Sequence, residues 1–214
     1  MSGKPVRAVL FDFGGVITES PFVAFARYER ETGLPDGFIR TLNTRNPDSN
    51  AWARFERSEI DLDAFCPAFE AEALEAGHKL DGRAVVALLA GPVRPEMVEA
   101  LRHLRARYRI ACLTNNVRSA ARPPEQARAV AEAMSLFHAV IESSKVGVRK
   151  PEPRFYEIAC ETVGVAPDEA VFLDDLGVNL KTARAIGMRT IKVGSAEQAL
   201  SELAAVLGHS PVGD

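Results

Sequence analysis

The chain has little of what marks a secreted, membrane-spanning or nucleic-acid-binding protein. Its 214 residues include only three cysteines, and 26 Lys and Arg stand against 29 Asp and Glu, for a net charge of −3. Three scattered cysteines fit neither a disulfide framework nor a thiolate metal site, so a reducing compartment is expected. The absence of a basic excess argues against a nucleic acid partner. No apolar run approaches the roughly 20 residues that span a bilayer, which argues against a membrane partner.

The first residues also lack the pattern of a secretory signal peptide, so we expect a cytoplasmic protein. With 47% hydrophobic and 26% charged residues, the composition is that of a globular chain with a substantial core. The chain has no internal repeat and no low-complexity tract. Function therefore has to be inferred from the order of the residues.

Five short, nearly continuous apolar segments predict strands that are buried on both faces of a parallel sheet. They are residues 8–13, 110–114, 139–143, 170–174 and 188–193. A helical pattern at residues 95–108 precedes the second strand, and patterns at residues 125–137, 152–163 and 180–186 separate the last four strands. This alternation indicates an α/β fold with a doubly wound parallel sheet. In such sheets a ligand binds at the carboxyl ends of the strands.

Roughly a hundred residues separate the first two strands, about three times what a simple crossover needs. This stretch has helical patterns of its own at residues 22–32, 35–42, 50–57 and 62–76. We predict a small helical cap, residues 18–92, inserted into a core formed by residues 1–17 and 93–214. An insertion at this point is well placed to cover a site at the end of the first strand.

Polar side chains follow four of the predicted strands or their connections. They are Asp12, Thr114 with Asn115 and Asn116, Lys150, and the pair Asp174 and Asp175. Taken singly, each has an ordinary structural explanation as a helix cap, a turn or a surface lysine. Together they fall at one edge of the sheet, where such folds bind ligands.

The chemistry of this set is coherent. Asp12 and Asp175, with backbone carbonyls and water, are the oxygen ligands that Mg²⁺ prefers. A divalent cation would also relieve the repulsion among three neighbouring carboxylates. Lys150 and Thr114 would then hold phosphate oxygens, and Asp12 could attack phosphorus to give an aspartyl-phosphate intermediate.

At these residues the chain resembles the haloacid dehalogenase-like hydrolase superfamily, with its four motifs in order over essentially the whole length. The segments Lys-Val-Gly-Val-Arg-Lys-Pro-Glu-Pro (145–153) and Phe-Leu-Asp-Asp-Leu-Gly-Val-Asn-Leu-Lys (172–181) are most similar to one branch. That branch contains the amino-terminal phosphatase domain of mammalian soluble epoxide hydrolase and related bacterial phosphatases. The resemblance implies a Rossmann-like core, a helical cap between the first two motifs, and a magnesium-dependent phosphatase acting on a small phosphorylated metabolite.

The resemblance also implies roles for the matching residues. Asp12 would be the nucleophile and a magnesium ligand, and Gly14 would offer its backbone carbonyl to the metal. Asp175 would ligate magnesium directly, while Asp174 and Asn179 would position it.

The remaining matched residues belong to the phosphoryl group. Thr114 and Asn115 would bind it, and Lys150 would neutralise the nucleophile and the intermediate. No cofactor besides Mg²⁺ is implied, and the oligomeric state is open.

Gly14 departs from the phosphatase pattern. A second Asp usually stands there, protonates the leaving group and then activates water, a contribution of about two to four powers of ten in rate. Three explanations stay open: a substrate with a good leaving group, such as an acyl or anomeric phosphate; a proton supplied by the cap or the substrate; or phosphate binding with little turnover.

Two other functions are therefore kept as alternatives. A 2-haloacid dehalogenase-type hydrolase would need Asp12 but no metal, and the Asp174 and Asp175 pair argues against it. A weakly active phospho-ligand-binding regulatory module is favoured by Gly14 alone.

Polar residues of the cap are candidates for contacting the substrate, although a solvated loop and helix face is the favoured interpretation. They are Arg45, Asn46, Asp48, Asn50, Arg54, Glu56 and Arg57.

Overall fold

The computed structural model describes residues 4–115 and 123–213, so Asn116 of the second motif lies outside the described residues. Its five parallel strands form one sheet in the order β3-β2-β1-β4-β5. The strands are β1 (Ala8–Phe11), β2 (Arg109–Thr114), β3 (Ala139–Glu142), β4 (Ala170–Asp174) and β5 (Arg189–Lys192). The predicted α/β fold with a doubly wound parallel sheet is confirmed.

The helices follow in chain order. They are α1 (Pro21–Thr32), α2 (Phe38–Thr44), α3 (Ala51–Glu56), α4 (Leu62–Glu75), α5 (Gly82–Ala87), α6 (Pro95–Leu104), α7 (Pro124–Leu136), α8 (Ser143–Val146), α9 (Pro153–Val163), α10 (Gly177–Ala185) and α11 (Ala196–Leu207). Within the described ranges, none of them is long and apolar enough to cross a membrane.

The sheet is covered on both faces because successive strand residues point to opposite sides. In β1, Val9 and Phe11 join the apolar cluster that includes α6, α7 and α11, whereas Ala8 and Leu10 join the cluster that includes α9 and α10. All four β1 side chains are fully buried. This two-sided burial explains why the strand segments read as continuous apolar runs.

Helices α1 to α5 pack around an apolar centre of their own, which includes Phe25, Phe55, Phe65 and Phe69. Phe55, Phe65 and Phe69 stack in sequence, with ring centroids 4.5 Å and 5.1 Å apart. These five helices are called the cap below.

Two linkers join the cap to the sheet and run side by side. Thr18 and Val93 form an antiparallel bridge, flanked by hydrogen bonds from the Glu19 amide to the Pro92 carbonyl (2.9 Å) and from the Arg94 amide to the Ile17 carbonyl (2.8 Å). These two paired linkers lie at the predicted limits of the insertion, residues 18 and 92. The division into a core of residues 1–17 and 93–214 and a cap of residues 18–92 stays a prediction.

The main differences from the predicted elements lie in short helices. Helices α5 and α8 were not predicted, because six and four residues carry too few positions for a recognisable period. Helix α6 ends at Leu104, four residues before the predicted end.

Candidate active site

A buried lysine joins two carboxylates at the carboxyl edge of the sheet. Lys150 Nζ lies 2.8 Å from Asp12 Oδ1, just after β1, and 2.8 Å from Asp174 Oδ2, the last residue of β4. The Lys150 side chain is 1% exposed and the Asp174 side chain is fully buried. Burial opposes the charge on Lys150, but Asp12 and Asp174 outweigh it and hold the pKa of its amine above the usual value.

Asp174 also accepts three further hydrogen bonds, from two residues. Its Oδ1 accepts a hydrogen bond from the Leu176 amide (2.8 Å), and the Asn179 side chain donates to both carboxylate oxygens at 3.0 and 3.1 Å. The Asn179 carbonyl in turn accepts from the Tyr156 hydroxyl (2.9 Å). The orientation of the Asp174 carboxylate is therefore fixed by hydrogen bonds, while the roles of Asp174 and Asn179 behind a metal stay a prediction.

Asp175 completes an acidic cluster with Asp12 and Asp174. One carboxylate oxygen from each of the three lies within 4.8 Å of the others. Asp175 is half-buried, and its Oδ2 accepts a hydrogen bond from Ser20 Oγ (3.1 Å) in the linker that enters the cap.

The three carboxylates repel one another when they are ionised. Burial of Asp12, opposed by Lys150 and reinforced by Asp174 and Asp175, raises the pKa of its carboxyl to about 8. Burial and the charge of Asp174 likewise raise the pKa of Asp175. One lysine thus does not balance the acidic cluster, and a divalent cation bound to oxygen would. The donor set therefore fits Mg²⁺.

The backbone after Asp12 is shaped by two glycines. Gly15 has a φ of 79°, and a β-carbon there would lie 2.2 Å from Asp175 Oδ2, so only glycine lets this turn pass the acid. Gly14 differs, because its φ of −70° suits any residue and a β-carbon there would meet no atom within 4 Å. The side chain missing at Gly14 leaves open space.

Thr114 ends β2 and is buried. Asn115 follows it and is joined to Lys150: its Oδ1 accepts from the Lys150 amide (2.9 Å) and its Nδ2 donates to the Lys150 carbonyl (3.0 Å). The Asn115 side chain thus orients the loop that carries the lysine. Phosphate binding by Thr114, Asn115 and Lys150 stays a prediction.

The polar residues of the cap divide into two groups: Arg45, Asn46, Asp48 and Arg54 are exposed, as a solvated face requires, whereas Asn50 and Glu56 are not. Asn50 is buried and caps α3 through a bond from the Ala53 amide (2.8 Å). Glu56 is also buried, and its Oε2 accepts hydrogen bonds from Asn115 Nδ2 (3.1 Å) and Arg149 Nη1 (2.5 Å) of the core. The contact of Glu56 with the core could not be predicted from the helical pattern, because Asn115 and Arg149 are distant from it in sequence.

The buried lysine and its acids lie at the carboxyl edge of a capped parallel sheet, where proteins of the doubly wound α/β class bind their ligands. Residues 6–187 match the haloacid dehalogenase-like hydrolase family, and the chain belongs to that family.

Curated relatives agree with this assignment. The chain is 34% identical to mouse acyl-CoA dehydrogenase family member 10 and 32% identical to pig bifunctional epoxide hydrolase 2, over 96% and 95% of its length. It spans only 20% and 39% of those two proteins. It is also 30% identical to a Mycobacterium tuberculosis protein named phosphatase MT3486, over 94% of this chain and 97% of that protein.

Solved structures show the same fold. A HAD-like family hydrolase from Porphyromonas gingivalis superposes with a TM-score of 0.66 at 21% identity, covering 95% of this chain and 98% of that one. A HAD family enzyme from Bacteroides thetaiotaomicron, in complex with magnesium and inorganic phosphate, superposes with a TM-score of 0.59 at 17% identity, covering 92% and 98%.

Proposed function

We propose that the protein is a magnesium-dependent phosphohydrolase that acts on a small phosphorylated metabolite through an aspartyl-phosphate on Asp12. The observation that carries this proposal is the buried lysine, 2.8 Å from both Asp12 and Asp174, beside a third acid. The relative named a phosphatase and the fold neighbour with magnesium and phosphate support it. Neither a nucleic acid nor a membrane is a proposed partner, and the cytoplasmic location stays a prediction.

Asp12, Asp175 and the carbonyl of Gly14 would hold the cation, with Asp174 and Asn179 behind them. When bound, Mg²⁺ supplies positive charge that neutralises the acids and the oxygens of the phosphoryl group.

Asp12 is oriented as a nucleophile. Among the described residues, its hydrogen-bond donors, the Phe13 amide (2.6 Å) and Lys150, both bind Oδ1. We therefore assign the attack to Oδ2. As the Oδ2–P bond forms, the bond from phosphorus to the leaving oxygen breaks, and that oxygen departs with the electron pair. The charged Lys150 stabilises the acyl phosphate, while Thr114 and Asn115 hold the phosphoryl group.

The second step hydrolyses the aspartyl-phosphate and restores the free enzyme. A water oxygen attacks phosphorus, the Oδ2–P bond breaks, and Asp12 regains its carboxylate as inorganic phosphate leaves. The two protons of the water depart on the inorganic phosphate, as H2PO4−. The leaving oxygen of the first step, however, receives no proton from Gly14. We therefore propose a substrate whose leaving oxygen is weakly basic, such as an acyl or anomeric phosphate, or one that supplies its own proton.

The test is phosphate release from acyl, sugar and aryl phosphates with Mg²⁺ and with chelator. We expect release that requires Mg²⁺ and falls by at least about 10³-fold in Asp12→Asn, since the nucleophile is lost. The exposed Asp36 of the cap provides the matched control, and Asp36→Asn should keep full activity. Release that persists in Asp12→Asn contradicts the proposal. Release of halide from 2-haloacids, or phosphate binding without turnover, would favour the alternatives.

The leaving-group proposal has its own test. Across aryl phosphates of graded leaving-group pKa, the wild-type rate should fall steeply as the leaving group becomes more basic. Gly14→Asp, for which the structure has room, should flatten that dependence by supplying an acid. Gly14→Asn has similar size without the acid and should remain steep. A shallow dependence in the wild type would show that another group already donates the proton.

A further inference from the structure

One buried carboxylate of the cap makes its contacts with the core. Glu56, at the end of α3, has a side chain that is 11% exposed. Its Oε2 accepts from Asn115 and Arg149, and its backbone carbonyl accepts from Ser143 Oγ (2.6 Å). Within the cap, Trp52 Nε1 donates to Oε1 (3.1 Å).

Each partner of Glu56 is connected further. Asn115 is bonded twice to the backbone of Lys150, whose ammonium meets Asp12. Arg149 precedes Lys150 in the chain and also donates from Nη2 to the Pro47 carbonyl of the cap. Hydrogen bonds from the cap therefore reach the backbone of Lys150, and the lysine side chain continues to the nucleophile.

We infer that Glu56 is a positioning residue of the active site, which orients Lys150 through Asn115 and Arg149 when the cap is seated on the core. This inference rests on the proposed function, since its effect is measured as phosphate release. It assigns a residue of the cap to the phosphoryl site without placing it in contact with the substrate.

The energetics favour this role over simple cap stability. Burying a carboxylate costs free energy that an ion pair only partly returns, so an apolar contact would join the two parts at least as well. The Glu56 carboxylate instead orients the Asn115 side chain, because Asn115 Nδ2 donates to Glu56 and to the Lys150 carbonyl at the same time. Burial raises the pKa of Glu56 against the opposing charge of Arg149, in keeping with this cost.

The matched control is Glu29, which is also a buried cap carboxylate. It accepts from the amides of Gly37 and Ile39, both at 2.8 Å and both inside the cap. Glu56→Gln and Glu29→Gln thus make the same chemical change, at the core contact and away from it.

The experiment measures kcat and KM for 4-nitrophenyl phosphate at saturating Mg²⁺, with the melting temperature of each variant. Misplacing a catalytic group by about 1 Å can cost up to about 100-fold, so Glu56→Gln should lower kcat by about 10–100-fold with a small change in KM. Glu29→Gln should lower the melting temperature and leave kcat within about twofold of the wild type. Equal kcat in Glu56→Gln and the wild type overturns the inference.

A double-mutant cycle separates positioning from general destabilisation. Since Glu56 is inferred to act through Asn115 and Arg149, Glu56→Gln should have little further effect on kcat once Asn115→Ala and Arg149→Gln are both present. Additive effects in that background overturn the inference. Arg149→Gln, which breaks the same contact from the core side, serves if Glu56→Gln does not fold. A wild type that releases no phosphate overturns the proposed function and the inference with it, whereas an active wild type with an equally active Glu56→Gln overturns the inference alone.

Discussion

Two neighbouring cations, Lys150 and Arg149, serve the two halves of the molecule in different ways. Lys150 enters the core, where one ammonium meets the carboxylates of Asp12 and Asp174. Arg149 extends to the cap, where its planar fork meets Glu56 and the Pro47 carbonyl at once. The compact ammonium of lysine fits between closely spaced carboxylates. The guanidinium of arginine, with several donors in one plane, can bind two acceptors of the cap at once. Two adjacent residues thus make different contacts: Lys150 binds the acidic cluster directly, and Arg149 connects the loop that carries Lys150 to the cap.

Neutralising each cation in turn tests whether Lys150 and Arg149 differ in role. Lys150→Met leaves two buried acids without their cation and should cost about 3–5 kcal/mol of unfolding free energy. Arg149→Met, with the same new side chain one residue earlier, leaves the buried Glu56 with two remaining donors, Asn115 and Trp52, and should cost about 1–3 kcal/mol. Urea unfolding in chelator at neutral pH measures both. Equal losses would show that the two cations do not differ in role.

Gly15 and Gly14 form the next matched pair. Gly15→Ala places a β-carbon on a left-handed backbone and against Asp175, so we expect a loss of about 1–3 kcal/mol and weaker Mg²⁺ binding. Gly14→Ala enters open space with an ordinary φ and should change stability by less than about 0.5 kcal/mol. Thermal melting with and without Mg²⁺ compares them. Similar destabilisation by both would mean that the space beside Gly14 is not available.

The acidic cluster should make the stability of the protein depend on pH and on metal. The contact of Glu56 with the core should not. Because the folded pKa of Asp12 is raised, its contribution to stability is present below the unfolded pKa near 4 and is lost as pH rises towards about 8. Without metal, Asp12→Asn should therefore match the wild type near pH 4 and exceed it at pH 8. One pKa unit is worth about 1.4 kcal/mol, or about 3–6 °C in melting temperature for a chain of this size.

Added Mg²⁺ competes with protons for the same oxygens, so its stabilising effect on the wild type should grow from pH 5 to pH 8 and be reduced in Asp12→Asn. Melting curves at both pH values, with Mg²⁺ and with chelator, provide the measurement. A lower melting temperature for Asp12→Asn at pH 8 in chelator would show that the Lys150 pair outweighs the repulsion.

The sequence was informative where chemistry lies at strand ends and uninformative where two parts of the chain meet. Asp12 directly follows β1 and Asp174 ends β4, so both could be predicted to lie at the carboxyl edge of a parallel sheet. Glu56 lies on a short helix whose pattern fits a solvated face, and 59 residues separate it from Asn115. No periodicity encodes such a contact, since it depends on how the cap settles on the core.

The smallest expected effect concerns a second cap–core ion pair, which tests whether burial or charge makes the Glu56 contact important. Arg57 Nη1 lies 3.7 Å from Glu152 Oε1, and the Glu152 side chain is 38% exposed. Solvent screens such a pair, so Glu152→Gln should change the unfolding free energy by less than about 1 kcal/mol and leave kcat unchanged. The amide keeps an oxygen that can accept from the Arg149 amide, as Glu152 does at 3.3 Å. If Glu152→Gln instead lowered kcat as much as Glu56→Gln, then charge across the joint, and not the buried path to Lys150, would control the site.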